Sequence, residues 1–370
     1  MNYILIIGIF QALFLILLLF NKKDKVKSDV YLGIIIALYA LTILLAYIEL
    51  HNIQNDFPFP QAINLNWLIL FLHGPALWFY IKSLGNPKFT FKPFYILHFL
   101  PFIIFLVIHY IRFISLPEIE KITIVKNELF TDQVFYKISI LSIGISTITY
   151  NLWALNLIKT YQRKLNDFFS KTDSFDLKWL RILTIASLSI YLVNVALFNL
   201  DMIFHIAPYK TLMIITYSFA SVYVLIIGFF GVQQKSIFIG FPNKEHLLRN
   251  NKKYAHNDER GFIEKLQLFM NEEKPFLEPE LNLLKLSKLL NVKTEYLSEI
   301  LNSHMDQTFF DFINKYRIEE FKKQCIYEEN KHFSIIGIAY NCGFNSKASF
   351  YRAFKKFEGV SPSLYIHSVS

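Results

Sequence analysis

The sequence predicts an all-α protein in two parts: a seven-helix transmembrane bundle, then a cytoplasmic all-α domain with two helix-turn-helix units. Three observations predict it. Apolar runs of roughly twenty residues, enough to cross a bilayer's hydrocarbon core, fill the chain up to about residue 230. Polar residues return abruptly beyond that point. Near the C-terminus, two short helix–turn–helix patterns follow one another.

Of the 370 residues, 54% are hydrophobic and 18% charged, against about 25% charged in an ordinary soluble domain. The deficit divides the chain into 1–230 for the bundle, 231–273 for a linker and amphipathic helix, and 274–370 for the C-terminal domain. The net charge of +9 is a weak argument for a nucleic-acid partner. Residues 1–235 hold 19 Lys+Arg and 12 Asp+Glu, a net of +7, whereas residues 236–370 hold 19 and 17, a net of +2. The basic excess lies in the apolar part, so any such argument rests on local distribution.

The expected spans are 2–20, 30–50, 64–84, 94–115, 136–158, 180–201 and 209–230. The first, "MNYILIIGIFQALFLILLLF", lacks a basic start and a small-residue cleavage pattern and is followed by "NKKDKVK". It reads as a retained helix. The first loop carries Lys22, Lys23, Lys25 and Lys27, the third Lys82, Lys88 and Lys92, and the fifth Lys159, Arg163, Lys164, Lys171, Lys178 and Arg181. The second carries no Lys or Arg, the sixth only Lys210, and the fourth mixes Lys121 and Lys126 with Glu118, Glu120, Glu128 and Asp132. Basic loops stay in the cytoplasm. The expected placement is therefore a multi-pass protein of the inner membrane, N-terminus outside and everything after residue 230 in the cytoplasm. "EIEKITIVKNELF" in the fourth loop fits either an extracellular strand pair or an interfacial segment.

Ionisable residues within or beside the spans are His73, His98, His109, Glu49, Asp201 and His205. The plainer reading is interfacial or interhelical hydrogen bonding, with water reaching Glu49, Asp201 and His205 at helix ends. The alternative is a ligand or proton role. "HGP" at 73–75 marks a kink in the third span.

From Gly231 to Gly261 the sequence is polar and turn-rich, a connector. Phe262, Ile263, Leu266, Phe269 and Met270 then recur at helical spacing. This helix is either a dimerising or signal-carrying element or a plain core helix.

The first helix-turn-helix pattern is Leu281–Asn302. Leu283, Leu286, Leu289 and Leu290 stripe one helix, "NVK" makes the turn, and Tyr296, Leu297, Ile300 and Leu301 line the second helix. Lys293, Thr294, Glu295, Ser298 and Glu299 face outward. A long helix, "QTFFDFINKYRIEEFKKQC", follows, with Phe309, Phe312, Ile313, Tyr316, Ile318 and Phe321 inward. In the second unit Ile335, Ile336 and Ala339 pack the first helix and Gly343 supplies a positive-φ turn. The second helix, "NSKASFYRAFKKF", sets Phe350, Phe354 and Phe357 inward. Its outward face holds Ser346, Lys347, Ser349, Arg352, Lys355 and Lys356, a basic footprint with almost no acid. The plain alternative is a solvated face. The candidate contacts with double-stranded promoter DNA are Lys293, Thr294, Ser298, Asn345, Ser346, Lys347, Ser349, Arg352, Lys355 and Lys356. Arg352 is placed against a base or phosphate, Lys355 and Lys356 against phosphates.

Residues 274–365 resemble the DNA-binding domain of AraC-family transcription factors. The resemblance is carried by "PELNLLKLSKLLNV", "YLSEIL", "FFDFINKYRIEEFKK", "IGIAYNCGFNSKASFYRAFKKF" and "GVSPSLY". It implies two helix-turn-helix units on one linking helix, entering major-groove segments about one helical turn (34–36 Å) apart. Where the family commonly has Gly, this chain has Asp306, which tolerates the left-handed conformation better than most residues. "GPALWFYIKSL" and "LHFLPF" are similar to the multi-pass sensor regions fused to AraC-type domains in Bacteroidota.

The function expected from these residues is a membrane-embedded one-component transcription regulator whose bundle senses an unknown signal ligand, with a homodimer as one expected assembly. Two other classes stay open: a membrane transporter or enzyme with a regulatory DNA-binding appendage, and a DNA–membrane tether that senses nothing. No catalytic motif, internal repeat, metal spacing or cofactor signature is present, so no enzyme activity and no cofactor are expected. Cys325 and Cys342 read as small hydrophobes on helices.

Overall fold

The architecture is taken from a computed structural model that describes residues 3–23, 25–86, 89–130, 133–169, 177–232, 259–327 and 332–369. Residues 233–258 of the expected connector, and Lys88, Asp132 and Lys171 in the loops, lie outside these residues. The chain divides into two compact units, Met1–Lys159 with Leu177–Ile239, and Thr160–Asp176 with Gly240–Ser370.

The first unit is helical: α1 (Tyr3–Phe20), α2 (Lys27–Gln54), α3 (Leu70–Leu84), α4 (Leu100–His109), α5 (Glu118–Lys126), α6 (Val134–Phe168), α7 (Lys178–Phe204) and α8 (Tyr209–Val232). A 3₁₀ segment (Pro93–Phe99) leads into α4 and a π turn (Tyr110–Ile114) ends it. α2 is central and packs on α1, α3 and α8, while α8 also packs on α1 and α7. α1 and α8 approach so closely that a Cβ on Gly8 would stand 2.4 Å from Ser221 Oγ, the small-residue contact that lets apolar helices pack in lipid. Large apolar side chains such as Phe10, Leu17, Ile111, Ile145 and Phe229 are exposed, as lipid-facing positions would be.

Among the described residues six helices, not the expected seven, are long and apolar enough to cross a membrane. The exception is the third expected span. Its first residues, Asn64 to Ile69, form turns, with Asn64 at φ 62°. The Asn64 N–H donates to Glu49 Oε2 at 2.9 Å, which holds the turn and delays the helix to Leu70. The remaining fifteen residues rise about 22 Å, short of a ~30 Å core. α3 is nevertheless the most enclosed helix, with His73 to Ile81 all buried. Pro75 lies inside it.

Contacts sort the loops of this unit into two ends. At one, Lys27 Nζ donates to Phe89 O, Trp179 stacks near Phe230, and a Cβ on Gly231 would meet Leu32. At the other, Lys126 pairs with Asp56, Gln61 donates to Glu118, and Phe130 meets Tyr209 edge-on. The stretch from Asn64 to Phe89 therefore runs from one end to the other. Among the described residues the fourth loop holds a helix, α5, and no strand pair.

Polar residues of this unit are mostly tied between helices. His73 lies 3.0 Å from Thr42 Oγ1 and 2.6 Å from the Tyr191 hydroxyl, and His98 lies 2.6 Å from the Tyr150 hydroxyl. Asp201 and His205 close α7, where His205 adopts φ 49° and its N–H donates to Asp201 O. Glu49 departs from expectation. Water does not reach it, because α2 continues to Gln54 and the chain folds back over it; it is 1% exposed.

In the second unit, residues 160–169 pack with the C-terminal domain. Phe168 touches its first core and Phe169 forms a backbone bridge with Asn282. The domain comprises α9 (Glu259–Glu272), α10 (Leu283–Leu289), α11 (Thr294–Glu299), α12 (Phe309–Ile326), α13 (Ile335–Asn341), α14 (Lys347–Glu358) and α15 (Pro362–Val369). Four starts carry sequence-legible caps: Asn282, Thr308, Ser334 and Ser346 each accept a backbone N–H with the side chain, each contact worth about 1 kcal/mol. Asn291 (φ 55°) and Asp306 (φ 49°) take the left-handed conformation, as their turns require.

Two cores share α12. Leu266 and Met270 of α9 join Leu283, Leu286, Leu297 and Phe312 in the first, so α9 is a core helix. Phe321, Ile338, Cys342, Phe350 and Phe354 form the second. Burial pushes the Cys342 thiol up to about 12 and Cys325 up to about 11, so both stay protonated and unreactive at neutral pH. In native protein at pH 8, iodoacetamide should label Cys342 at least tenfold more slowly than after denaturation. Equal rates would contradict this packing.

Candidate nucleic-acid interface

The residues expected to meet DNA lie on α11, on α14 and on the turns before them. Ser346 caps α14 by accepting the Ser349 N–H at 3.1 Å. Cys342, Gly343 and Phe344 form the turn before it. Gly343 sits at φ 89°, and a Cβ there would stand 2.4 Å from Phe276 O and 2.9 Å from Arg317 Nε, so glycine is required both by conformation and by space.

With Phe350, Ala353 and Phe354 locked into the core, helical geometry turns Lys347, Arg352, Lys355 and Lys356 outward, and all four are exposed. Their positions at i, i+5, i+8 and i+9 spread them over about half of the helix circumference, the half away from Phe350, Ala353 and Phe354. Lys347 lies over the Tyr351 ring at 5.5 Å, and Lys356 forms an ion pair with Asp311 of α12. The Asn345 amide reaches Glu280 at 3.4 Å. The outcome is a cationic ridge on a helix whose opposite side is fully packed.

One expected contact is corrected. Ser349 is 4% exposed, not outward. Its Oγ lies 3.1 Å from Ser346 O and 3.0 Å from Ser346 Oγ, so it serves the cap. Serine at the third helical position folds back onto the helix start, which an even spread of polar residues along the sequence does not reveal.

α11 presents a weaker surface. Lys293 is exposed, but Thr294 is half-buried, its hydroxyl 2.9 Å from Ser287 Oγ, which ties α11 to α10. Ser298 accepts from the Asn302 amide at 3.2 Å. With Glu299 exposed beside them, this helix offers mixed charge where α14 offers one sign.

Sequence reasoning missed Arg317. A basic residue in "NKYRIEEFKK" reads as solvent-facing, yet Arg317 is 2% exposed. Its Nε donates to Phe276 O at 2.7 Å and its Nη2 to Glu278 O at 2.8 Å, and the guanidinium lies over the Phe344 ring at 5.7 Å. Burial lowers its pKa to about 10, leaving it charged at neutral pH. It fixes the linking helix to the turn before the first core and to the turn that aims α14. Its only sequence signal was its place among inward positions Phe312, Ile313, Tyr316 and Ile318. Among the described residues no group of three or more His, Cys, Asp or Glu converges as a metal site.

Residues 286–368 match the family described as "Helix-turn-helix domain", of the AraC type. No curated protein and no solved structure matches the chain. The match covers α14 and the turn before it, and supports DNA as the partner of this region and regulation of transcription as its role.

Proposed function

We propose that the chain is a membrane-embedded one-component transcription regulator. The observation that carries this is the joining, in one polypeptide, of six helices able to cross a bilayer and a helix-turn-helix domain whose α14 presents a packed, single-sign cationic ridge. In this reading α10–α11 and α13–α14 are two helix-turn-helix units on α12, entering major-groove segments about one helical turn apart. α14 reads bases and phosphates; α11, with its glutamates, mainly positions.

The proposed orientation puts the end of the bundle with Lys22, Lys27, Lys82, Lys178 and Arg181 in the cytoplasm, following the positive-inside rule. The Lys27–Phe89 and Trp179–Phe230 contacts support it by gathering these loops at one end. The stretch 64–89 then completes the path as turns plus a short helix, with the N-terminus outside and the DNA-binding domain inside. The bundle acts as the sensor: a signal ligand shifts the balance between two bundle states only in so far as it binds them unequally.

The salt dependence of promoter binding tests the DNA reading. Lys355→Ala should weaken binding to specific and unrelated duplexes alike and reduce the slope of log K against log salt by about 0.9. An unchanged slope would place the phosphate contacts elsewhere. For the sensor reading, deleting residues 1–235 should abolish stimulus-dependent transcription; a reporter that still follows every stimulus would overturn it.

A further inference from the structure

A groove between α2 and α3 is left unused by the regulator reading. It has a volume of about 580 Å³, within the usual size of a ligand site. α2 lines it from Lys27 to Leu38 and α3 from Leu72 to Phe79. The α2 side spans eleven positions, a rise of about 16 Å. Ala76, with its small side chain between Leu72 and Phe79, gives the α3 side its depth. Val30, Ile34 and Phe91 also line the groove and are exposed. It therefore opens where large apolar side chains face outward.

Its two ends differ in chemistry. α2 and α3 run antiparallel, with Thr42 bonded to His73 at one level and Tyr31 stacked near Phe79 at another. Leu38 and Leu72 thus share an apolar inner end, and Lys27 lies at the opposite end with Phe89 and Thr90. Lys27 Nζ donates to Phe89 O at 3.2 Å, one of an ammonium's three donors. Lys82 Nζ stands 5.8 Å from the centre of the Phe89 ring, so two cations flank this residue. Residues 82–99, which close this end, contain no Asp or Glu. Asp29, two residues after Lys27, is taken by Lys22 at 2.8 Å and by the Val26 N–H at 2.9 Å. The 28 residues of α2 rise about 42 Å, more than a ~30 Å hydrocarbon core. Lys27, the first of them, therefore stands at headgroup level.

We infer that the groove seats one anionic phospholipid: an acyl chain lies between α2 and α3, and the phosphate sits at Lys27. The chain enters sideways from the bilayer, past Val30 and Ile34. A zwitterionic lipid would bring its own cation to the same two lysines, so the end of the groove favours net negative charge. In the proposed orientation this is the cytoplasmic leaflet. The inference deepens the sensor reading by naming a ligand class, and rests on it for biological meaning. Lipid binding is measured without DNA, so failure of this site and failure of the regulator reading are distinguishable.

The test is native mass spectrometry of the full chain in neutral detergent, titrated with phosphatidylglycerol or phosphatidylcholine of identical acyl chains. One phosphatidylglycerol should be retained saturably, about tenfold or more tighter than phosphatidylcholine. Lys27→Gln should weaken phosphatidylglycerol about fivefold, the worth of one lysine at such a surface, and leave phosphatidylcholine unchanged. Lys23→Gln, an exposed lysine of the same loop that does not line the groove, should change neither. Ala76→Leu should weaken both lipids by filling the groove. Ile34→Trp, at an exposed position, should do the same without disturbing the core. Glycerol phosphate, the headgroup without chains, should not compete at millimolar concentration. Equal affinity for the two lipids, equal losses from Lys27→Gln and Lys23→Gln, a phosphatidylglycerol preference untouched by Lys27→Gln, binding untouched by Ile34→Trp, competition by glycerol phosphate, or no retained lipid would each overturn the inference.

Discussion

Arg317→Met should destabilise the C-terminal domain by about 3 kcal/mol, the loss of two hydrogen bonds from a charged donor plus an orphaned carbonyl. Methionine fills much of the volume but donates nothing to Phe276 O. The Glu278 carbonyl keeps the Leu281 N–H, so its loss is smaller. In hydrogen exchange on the full chain, amides of α12 and α13 should exchange roughly 100-fold faster, the equivalent of that free energy, while α2 and α8 keep wild-type protection. Arg317→Lys should lie close to the methionine variant, because one ammonium cannot reach both carbonyls with fork geometry. Wild-type protection in α12 would show that the buried guanidinium does not hold these turns together.

The second large effect concerns recognition. Arg352→Ala should weaken specific promoter binding by about 1–3 kcal/mol, roughly 5- to 150-fold, and relax preference at one base position. Arg352 is exposed and lies six residues beyond the cap at Ser346, so truncation leaves the core formed by Phe350 and Phe354 intact. The effect should therefore appear without a change in unfolding temperature. Ser349→Ala makes a contrasting case. It removes a cap-side hydroxyl, costing stability by a fraction of the cap's value, and leaves base preference unchanged. If Ser349→Ala alters specificity and Arg352→Ala does not, the reading side of α14 is wrong.

The C-terminal domain was largely legible because its signals are local. The glycine at 343 and the leucine and phenylalanine stripes each specify their own turn or face, and the structure combines them as read, while the caps at Asn282, Thr308, Ser334 and Ser346 are equally local signals that the reading did not use. The sequence failed where long-range partners decide. Arg317 is buried because carbonyls from residues 276 and 278, some forty positions away, await it. The third span breaks at Asn64 because Glu49, fifteen residues earlier, captures its N–H. Neither partner is visible in a hydropathy window, which sums neighbours and ignores tertiary hydrogen bonds. Tyr191 and Tyr150, whose hydroxyls meet His73 and His98, were missed for a related reason: a tyrosine in an apolar run counts as mildly hydrophobic whether or not its hydroxyl meets another helix.

Sequence also left the role of α9 open between a core helix and a dimerising one. Leu266 and Met270 are fully buried, so that face of α9 packs in the core, while Leu268 on the same helix is exposed.

The most direct test of the regulator account is chromatin pull-down sequencing of the tagged full-length protein beside the Arg352→Ala, Lys355→Ala double variant at equal membrane levels. The wild type should enrich a small set of promoters sharing a two-part motif with parts about one helical turn apart, and the double variant should lose them. Enrichment that survives the double substitution, or no promoter enriched above background, would contradict it.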